Sequence, residues 1–189
     1  EDGRILDSLV RVTNAISSVR TVEPGDLYRL PPHSSKMEIP ELDKDSLLLL
    51  IQSGAWIADL DKTMPLSKAL YSAFNGLSPR SAKEILSLSR LEDISVADFR
   101  ESMAETLADG ILSFYQKIQS ADIHLMTLYW DEQQQPVDFT VFPYQSLSRY
   151  RAQTLPLWQG LDLFYAQMDQ ANHMRNKTHD LRQTIHSNL

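Results

Sequence analysis

Residues suited to contact a phosphate lie within the stretch GLSPRSAKEI, at Gly76, Ser78, Arg80 and Lys83. The glycine can adopt the positive φ that a tight reversal needs. Ser78 precedes Pro79 and suits the N-cap of a helix, whose free N–H groups and positive dipole end attract an anion. Arg80 and Lys83 lie one turn apart on that helix and would flank the same phosphate. The pattern predicts a helix-hairpin-helix with a nucleic-acid contact at the start of its second helix.

The charge of the chain limits this contact to an auxiliary one. The formal net charge is −7, and an acidic protein repels a phosphate backbone. Residues 62–90, which include the hairpin, contain five basic residues and one acidic residue, whereas residues 91–138 contain ten acidic and two basic residues. The second small position of the pattern is Ser78 rather than glycine, which hinders close approach of a phosphate. An alternative therefore stays open, in which the hairpin only braces the fold.

Other chemistries lack the residues they need. The chain contains no cysteine, which excludes disulfides and thiolate metal sites and suits a reducing cytosol. His173, His179 and His186 lie on one predicted helix, but no carboxylate completes a metal-ligand set, and we interpret them as part of a polar helix surface. No glycine-rich phosphate loop, serine-nucleophile elbow or zinc-protease motif occurs. We expect a non-enzymatic chain with no catalytic residue, no metal and no cofactor.

The apolar periodicity predicts an α+β fold that is mainly helical, with the helix-hairpin-helix as its core. Two short strands joined by a turn at Pro24 and Gly25 are expected within residues 5–32, as the end of a sheet that begins earlier. Helices are expected after Asp43, Thr63 and Ser78. No apolar run reaches the roughly 18 residues that a membrane span requires.

A long amphipathic helix is predicted from Ser95, because Asp98 three residues later resembles a capping box and an apolar stripe follows. The period then changes to two, which predicts a β-hairpin over residues 123–142. A last helix is expected near Thr154 and continues to Leu189. Its apolar residues follow the spacing of a coiled-coil seam and are Leu157, Leu161, Phe164, Met168 and Ala171.

The motifs, taken in order, resemble the bacterial fibronectin/fibrinogen-binding protein A family, whose members are RqcH-like proteins of the NFACT group. The segments that carry this resemblance are DGRILDSL, SVRTVEPGDLYRLPP, GLSPRSAKEI and LFYAQMDQ. Within the second segment, Arg20, Pro24, Gly25 and Tyr28 match the family pattern, and we expect their role to be structural. The resemblance covers essentially the whole chain.

The resemblance implies that the chain is an internal fragment of a longer protein, an expectation that the non-methionine Glu1 also favours. Residues 1–40 would be the end of a glycosylase-like N-terminal sheet domain. The helix-hairpin-helix region would follow over residues 41–120, a β-hairpin returning to the sheet over 121–150, and the start of the middle coiled coil over 154–189. The Asp-Arg pair that the family uses for its activity would lie before Glu1.

The resemblance also implies a function. Members of the family bind large ribosomal subunits that carry peptidyl-tRNA, and they recruit tRNA so that alanine is added to the C-terminus of the stalled chain. Cytoplasmic ribosome quality control, with rRNA and tRNA as partners and no membrane, is therefore the first hypothesis. A surface adhesin that binds fibronectin or fibrinogen is the alternative. A third hypothesis, an enzyme acting on DNA lesions, lacks the N-terminal amine nucleophile in this segment.

Overall fold

A computed structural model describes residues 3–17, 20–30, 36–39 and 43–169 of the chain. The chain divides into two compact units, Glu1–Lys36 and Met37–Leu189. We describe each unit by itself and call them the N-terminal unit and the C-terminal unit.

The N-terminal unit contains two isolated antiparallel bridges, Arg4 with Leu27 and Val12 with Val22. The predicted turn is present, because Gly25 has a φ of +93°. The predicted strands are wrong in their extent, since the described backbone pairs at these points without forming a continuous ladder. A two-stranded pair is marginal by itself, and the large apolar side chains here are mostly exposed, among them Leu6, Leu9, Val10, Ile16 and Leu30.

The C-terminal unit begins with three helices. They are α1 (Lys44–Gln52), α2 (Leu66–Ala73) and α3 (Pro79–Leu88). The carboxylate of Asp43 caps α1 by accepting the N–H of Ser46 at 3.0 Å. After α1, Gly54 has a φ of +67°, as expected of the glycine that follows a helix end. The three helix starts predicted from local capping signals are thus confirmed to within a few residues.

The long helix predicted from Ser95 begins later, as α4 (Ala104–Ser120). Two short 3₁₀ helices precede it, Val96–Asp98 and Glu101–Met103. The Ser95 hydroxyl donates to the Asp98 carboxylate at 2.6 Å instead of capping a backbone N–H. The N–H groups of Val96 and Ala97 donate to the carbonyls of Met64 and Lys62, both at 2.9 Å. Pairing with the segment before α2 therefore outweighs the local helix signal.

A three-stranded antiparallel sheet has the order β2-β1-β3, with β1 (Leu125–Trp130), β2 (Pro136–Thr140) and β3 (Arg151–Pro156). The predicted hairpin is confirmed as β1 and β2. The strand β3 corrects the prediction of a helix near Thr154, because this segment pairs with β1, Thr127 opposite Thr154. The last helix, α5, begins three residues later and is described over residues 157–169.

Two apolar clusters hold this unit together. The first joins α1 to α4, and its fully buried members include Leu47, Leu70, Phe74, Ile85 and Ile111. The second lies between the sheet and α5, where Leu157, Leu161 and Phe164 pack against Met126, Leu128 and Trp130. The first residues of the predicted coiled-coil seam thus contact the sheet of their own chain. Residues 170–189, which include Ala171, lie outside the described part, so the coiled coil stays a prediction.

Candidate nucleic-acid interface

The turn between α2 and α3 has the backbone geometry that the sequence predicts. Gly76 has a φ of +77°. The Ser78 hydroxyl accepts the N–H of Ser81 at 3.1 Å, and the Ser81 hydroxyl accepts the N–H of Ser78 at 2.6 Å, which closes a reciprocal capping box. Pro79 occupies the first helical position. Leu77 is buried, so it anchors the turn in the core.

The capping box leaves few backbone donors for a ligand at this helix start. The N–H groups of Ser78 and Ser81 are bonded to each other's hydroxyl, and Pro79 has no N–H. Among the described residues, the N–H groups of Leu77 and Arg80 have no acceptor. An anion at this end of α3 could therefore receive at most a small number of backbone hydrogen bonds.

The turn is also braced from outside by residues 37–39. Met37 donates its N–H to the carbonyl of Ala73 at 2.7 Å, and Asn75 donates its N–H to the carbonyl of Met37 at 2.8 Å. The side-chain amide of Asn75 donates to the Glu38 carboxylate at 2.7 Å. The position of Gly76 is thus fixed by its neighbours on both sides.

The two basic residues of the predicted contact differ in their surroundings. Arg80 forms an ion pair with Asp138 of β2, and 46% of the arginine side chain stays exposed. Lys83 is exposed, and no ion pair joins it to any residue in the described part of the chain. The structure therefore brings Gly76, Ser78 and Arg80 to one end of α3, with Lys83 one turn further on.

Glu84 is a buried residue that the sequence patterns did not single out. Its carboxylate accepts the N–H groups of Gln145 at 2.9 Å and Ser146 at 2.8 Å, the first residues of a 3₁₀ helix (Gln145–Leu147). The signal that could have found it is an acidic residue within the buried stripe of α3, between Ser81 and Leu88. Such a carboxylate needs hydrogen-bond donors, and the loop after β2 supplies them.

A group of hydroxyls lies next to Glu84. The Tyr129 hydroxyl accepts the N–H of Tyr144 at 2.6 Å and lies 3.2 Å from the Thr140 hydroxyl. The Thr140 hydroxyl donates to the carbonyl of Phe142 at 2.5 Å. Burial, aided by the neighbouring Glu84 carboxylate, raises the pKa of the Tyr144 phenol to about 12. This network fixes the segment between β2 and β3 against β1, and the hydrogen bonds to Glu84 fix it against α3.

The residues of the family pattern lie in the N-terminal unit, in and beside its turn. The Arg20 guanidinium donates to the carbonyl of Arg29 at 3.0 Å. The N–H of Gly25 donates to the carbonyl of Ile5 at 2.8 Å, and the N–H of Tyr28 donates to the carbonyl of Gly3 at 2.9 Å. The Tyr28 ring is exposed. The structural role expected for Arg20, Pro24, Gly25 and Tyr28 stays a prediction.

The described residues contain no group of three or more side chains able to hold a metal ion. His173, His179 and His186 lie outside them. None of the helices in the described part of the chain is long and apolar enough to cross a membrane.

A family model described as NFACT N-terminal and middle domains matches residues 1–189, and the chain belongs to this family. The resemblance to the NFACT group is thereby confirmed. One similar protein is the Rqc2 homolog RqcH of Bacillus subtilis (strain 168), which is 35% identical over 82 residues. That alignment covers 42% of the chain and 13% of RqcH, so the chain spans only a small part of the length of this relative.

Proposed function

We propose that the chain is part of an RqcH-like ribosome quality control factor. The whole protein would bind large ribosomal subunits that carry peptidyl-tRNA and promote the addition of alanine to the C-terminus of the stalled chain. The observation that carries this proposal is the match of the NFACT family model to all 189 residues, together with the identity to RqcH. The activity itself belongs to the whole protein, of which this chain is a part.

Within that protein, the start of α3 would make an auxiliary contact with rRNA or tRNA. Lys83 is the basic residue best placed to do so, because its charge is exposed and makes no ion pair with the described residues. The free N–H of Arg80 and the exposed part of its guanidinium would add to the contact. Gly76 and Ser78 would shape the backbone around it. With a net charge of −7, such a contact would supplement binding by other parts of the protein.

The bracing role is the second candidate, and specific contacts favour it. Arg80 is bonded to Asp138 and Glu84 to Gln145 and Ser146, so α3 is tied to the sheet and to the loop that follows β2. In that role, the hairpin holds the sheet in place and leaves RNA recognition to other regions. The two roles predict different effects of removing the Lys83 charge. RNA binding should weaken if α3 contacts RNA, and it should stay unchanged if the hairpin only braces the fold.

Co-sedimentation of the full-length protein with large ribosomal subunits tests the proposed function. We expect binding to subunits that carry peptidyl-tRNA to exceed binding to empty subunits. Removal of the protein from cells should also remove C-terminal alanine tails from stalled chains, as measured by mass spectrometry. Equal tailing with and without the protein would contradict the proposal, as would binding to immobilised fibronectin with none to either subunit preparation.

A further inference from the structure

A cleft of about 610 Å³ lies at the end of the sheet, between the β1–β2 turn and the start of β3. We infer that this cleft binds one nucleotide of a single-stranded RNA segment, with the base as the main recognised group. Its volume lies within the range of small-ligand sites. The cleft is formed by the turn residues 131–134 and by Trp130, Arg149, Tyr150 and Arg151.

Two arginine–aromatic pairs line the cleft. The Arg149 guanidinium lies 4.7 Å from the centre of the Tyr150 ring, and it donates a hydrogen bond of 2.7 Å to the Tyr150 hydroxyl. The Arg151 guanidinium lies 5.6 Å from the centre of the Trp130 ring. Aromatic rings and guanidinium planes are the surfaces on which unpaired bases stack in RNA-binding proteins. The cleft therefore offers two flat surfaces that carry positive charge, the Tyr150 ring with the Arg149 guanidinium, and the exposed Arg151 guanidinium over the buried Trp130.

Trp130, which lines the cleft, carries a buried donor that lacks an acceptor. Trp130 is 6% exposed, and its indole N–H has no hydrogen-bond partner among the described residues. Buried donors in folded proteins are nearly always paired. The nitrogen is shielded from solvent, so a nucleotide oxygen would reach it only after the side chains around the ring rearrange.

The charge of the cleft favours a base over a bare phosphate. Arg149 and Arg151 are offset by Asp131 and Glu132, which also line the cleft. A phosphate alone would gain little from such a balance, whereas a neutral base presents donors and acceptors to the side chains of the turn.

The turn that closes the cleft is held in shape before any ligand binds. The Asp131 carboxylate accepts the N–H of Gln135 at 2.8 Å, and Gln134 donates its N–H to the carbonyl of Asp131 at 3.2 Å. Gln134 has a φ of +60°, a conformation that non-glycine residues adopt at a cost and that clusters at binding sites. The residues Arg149 and Arg151 lie in and beside β3, which pairs along β1. The site thus lies where two turns meet the paired ends of β1 and β3.

The inference rests on the proposed RNA-associated function and assigns it a second contact, in addition to α3. The test uses the full-length protein and a fluorescein-labelled oligonucleotide of about ten uridines, with binding measured by fluorescence anisotropy. We expect Tyr150→Ala to weaken binding about 5- to 100-fold, the loss typical of one stacked base. Tyr150→Phe, which keeps the ring, should restore most of the affinity. The control is Tyr165→Ala, at an exposed tyrosine of α5.

The inference would be overturned if Tyr150→Ala and Tyr165→Ala bound the oligonucleotide with equal affinity. It would also be overturned if the wild type did not bind the oligonucleotide. If Tyr150→Ala does not fold, Arg151→Gln gives the same decision, because it removes one of the two flat surfaces and leaves the aromatic residues in place. Ribosome co-sedimentation separates the two proposals. If the protein binds subunits and the cleft variants leave its affinity for the oligonucleotide unchanged, only the cleft proposal is contradicted. If the cleft variants weaken oligonucleotide binding and the protein does not bind subunits, only the proposed ribosomal function is contradicted.

Discussion

The carboxylate of Glu84, fully buried in α3, accepts the backbone N–H of Gln145 at a distance of 2.9 Å across 61 residues of sequence. A second hydrogen bond, from the N–H of Ser146, uses its other oxygen. One side chain thereby fixes the loop after β2 to the hairpin helix. The start of α3 is held in place by its capping box and by this contact, and both act on the helix that carries Arg80 and Lys83.

Replacement of Glu84 by glutamine should destabilise the chain. Glutamine keeps one acceptor oxygen but places an amide NH₂ against the second backbone N–H, which leaves buried donors unpaired. We expect a loss of about 1–3 kcal/mol in the free energy of unfolding, measured by urea denaturation. Glu92→Gln, at an exposed position, is the control and should change stability by less than about 0.5 kcal/mol. Equal urea midpoints for the two variants would contradict the role assigned to Glu84.

The Arg80–Asp138 ion pair should contribute measurably to stability. A double-mutant cycle with Arg80→Gln and Asp138→Asn should give a coupling free energy of about 0.5–1 kcal/mol, because the aspartate side chain is only 23% exposed. The Lys44–Asp109 pair at 2.7 Å is the control, and its greater exposure should give a smaller coupling. A coupling of zero for Arg80 and Asp138 would contradict the contribution of this pair to stability.

Gly110 allows α4 to approach α3 closely, and alanine there should be destabilising. A Cβ atom at Gly110 would lie 2.9 Å from the backbone oxygen of Ile85 and 1.8 Å from the Ser89 hydroxyl. The gain in helix propensity, about 1 kcal/mol, should not offset this overlap, and we expect a net loss of about 1–3 kcal/mol in urea unfolding.

Gly160→Ala provides the comparison. A Cβ there would meet the side chain of Met126, which is more adaptable than the backbone oxygen that a Cβ at Gly110 would meet. We expect it to cost less than Gly110→Ala does. The reverse order would show that α5 packs on the sheet more rigidly than α4 packs on α3.

The Tyr144 phenol should make stability depend on pH in the alkaline range. Its pKa is about 12 in the folded chain, above the ordinary value of 10, so the folded state favours the protonated phenol. The resulting stabilisation is fully present below about pH 10 and is lost as pH rises towards about 12. We expect an effect on the order of 1 kcal/mol, because the partly exposed ring is screened by solvent.

Urea unfolding of the wild type and of Tyr144→Phe at about pH 9 and about pH 11 measures this effect. The wild type should lose more stability than the variant between the two conditions. Tyr165→Phe, on an exposed part of α5, controls for the loss of one hydroxyl. The same pH dependence in the wild type and in Tyr144→Phe would rule out a raised phenol pKa.

Local sequence signals predicted the turn between α2 and α3. The features that the sequence did not predict depend on pairing between residues that are distant along the chain. Gly76 and Ser78 act through their own backbone and near neighbours, so their conformations could be read from sequence. The strand β3 could not, because nearly all its side chains are exposed, and it exists through its pairing with β1. The Ser95 signal was likewise overridden by backbone bonds to residues 62 and 64.

The candidate site was predictable in its residue types but not in its electrostatics. Arg80 and Lys83 look equivalent in the sequence, yet within the described part of the chain only Arg80 pairs with an acidic side chain, Asp138 of β2. The partners of Glu84 are 61 and 62 residues away along the chain, a separation that no helical or strand periodicity encodes. The structure therefore leaves Lys83 as the basic residue of the pair whose charge is best placed to contact RNA.

The proposed RNA contact of Lys83 is tested most directly by the salt dependence of binding between the full-length protein and large ribosomal subunits that carry peptidyl-tRNA. Wild type is compared with Lys83→Gln and with Arg90→Gln, which removes one exposed charge just beyond the other end of α3. We expect Lys83→Gln to weaken binding and to lower the log–log salt slope by about 0.7–0.9, and Arg90→Gln to have a smaller effect. Identical affinities and slopes for wild type and a normally folded Lys83→Gln would contradict the proposed contact.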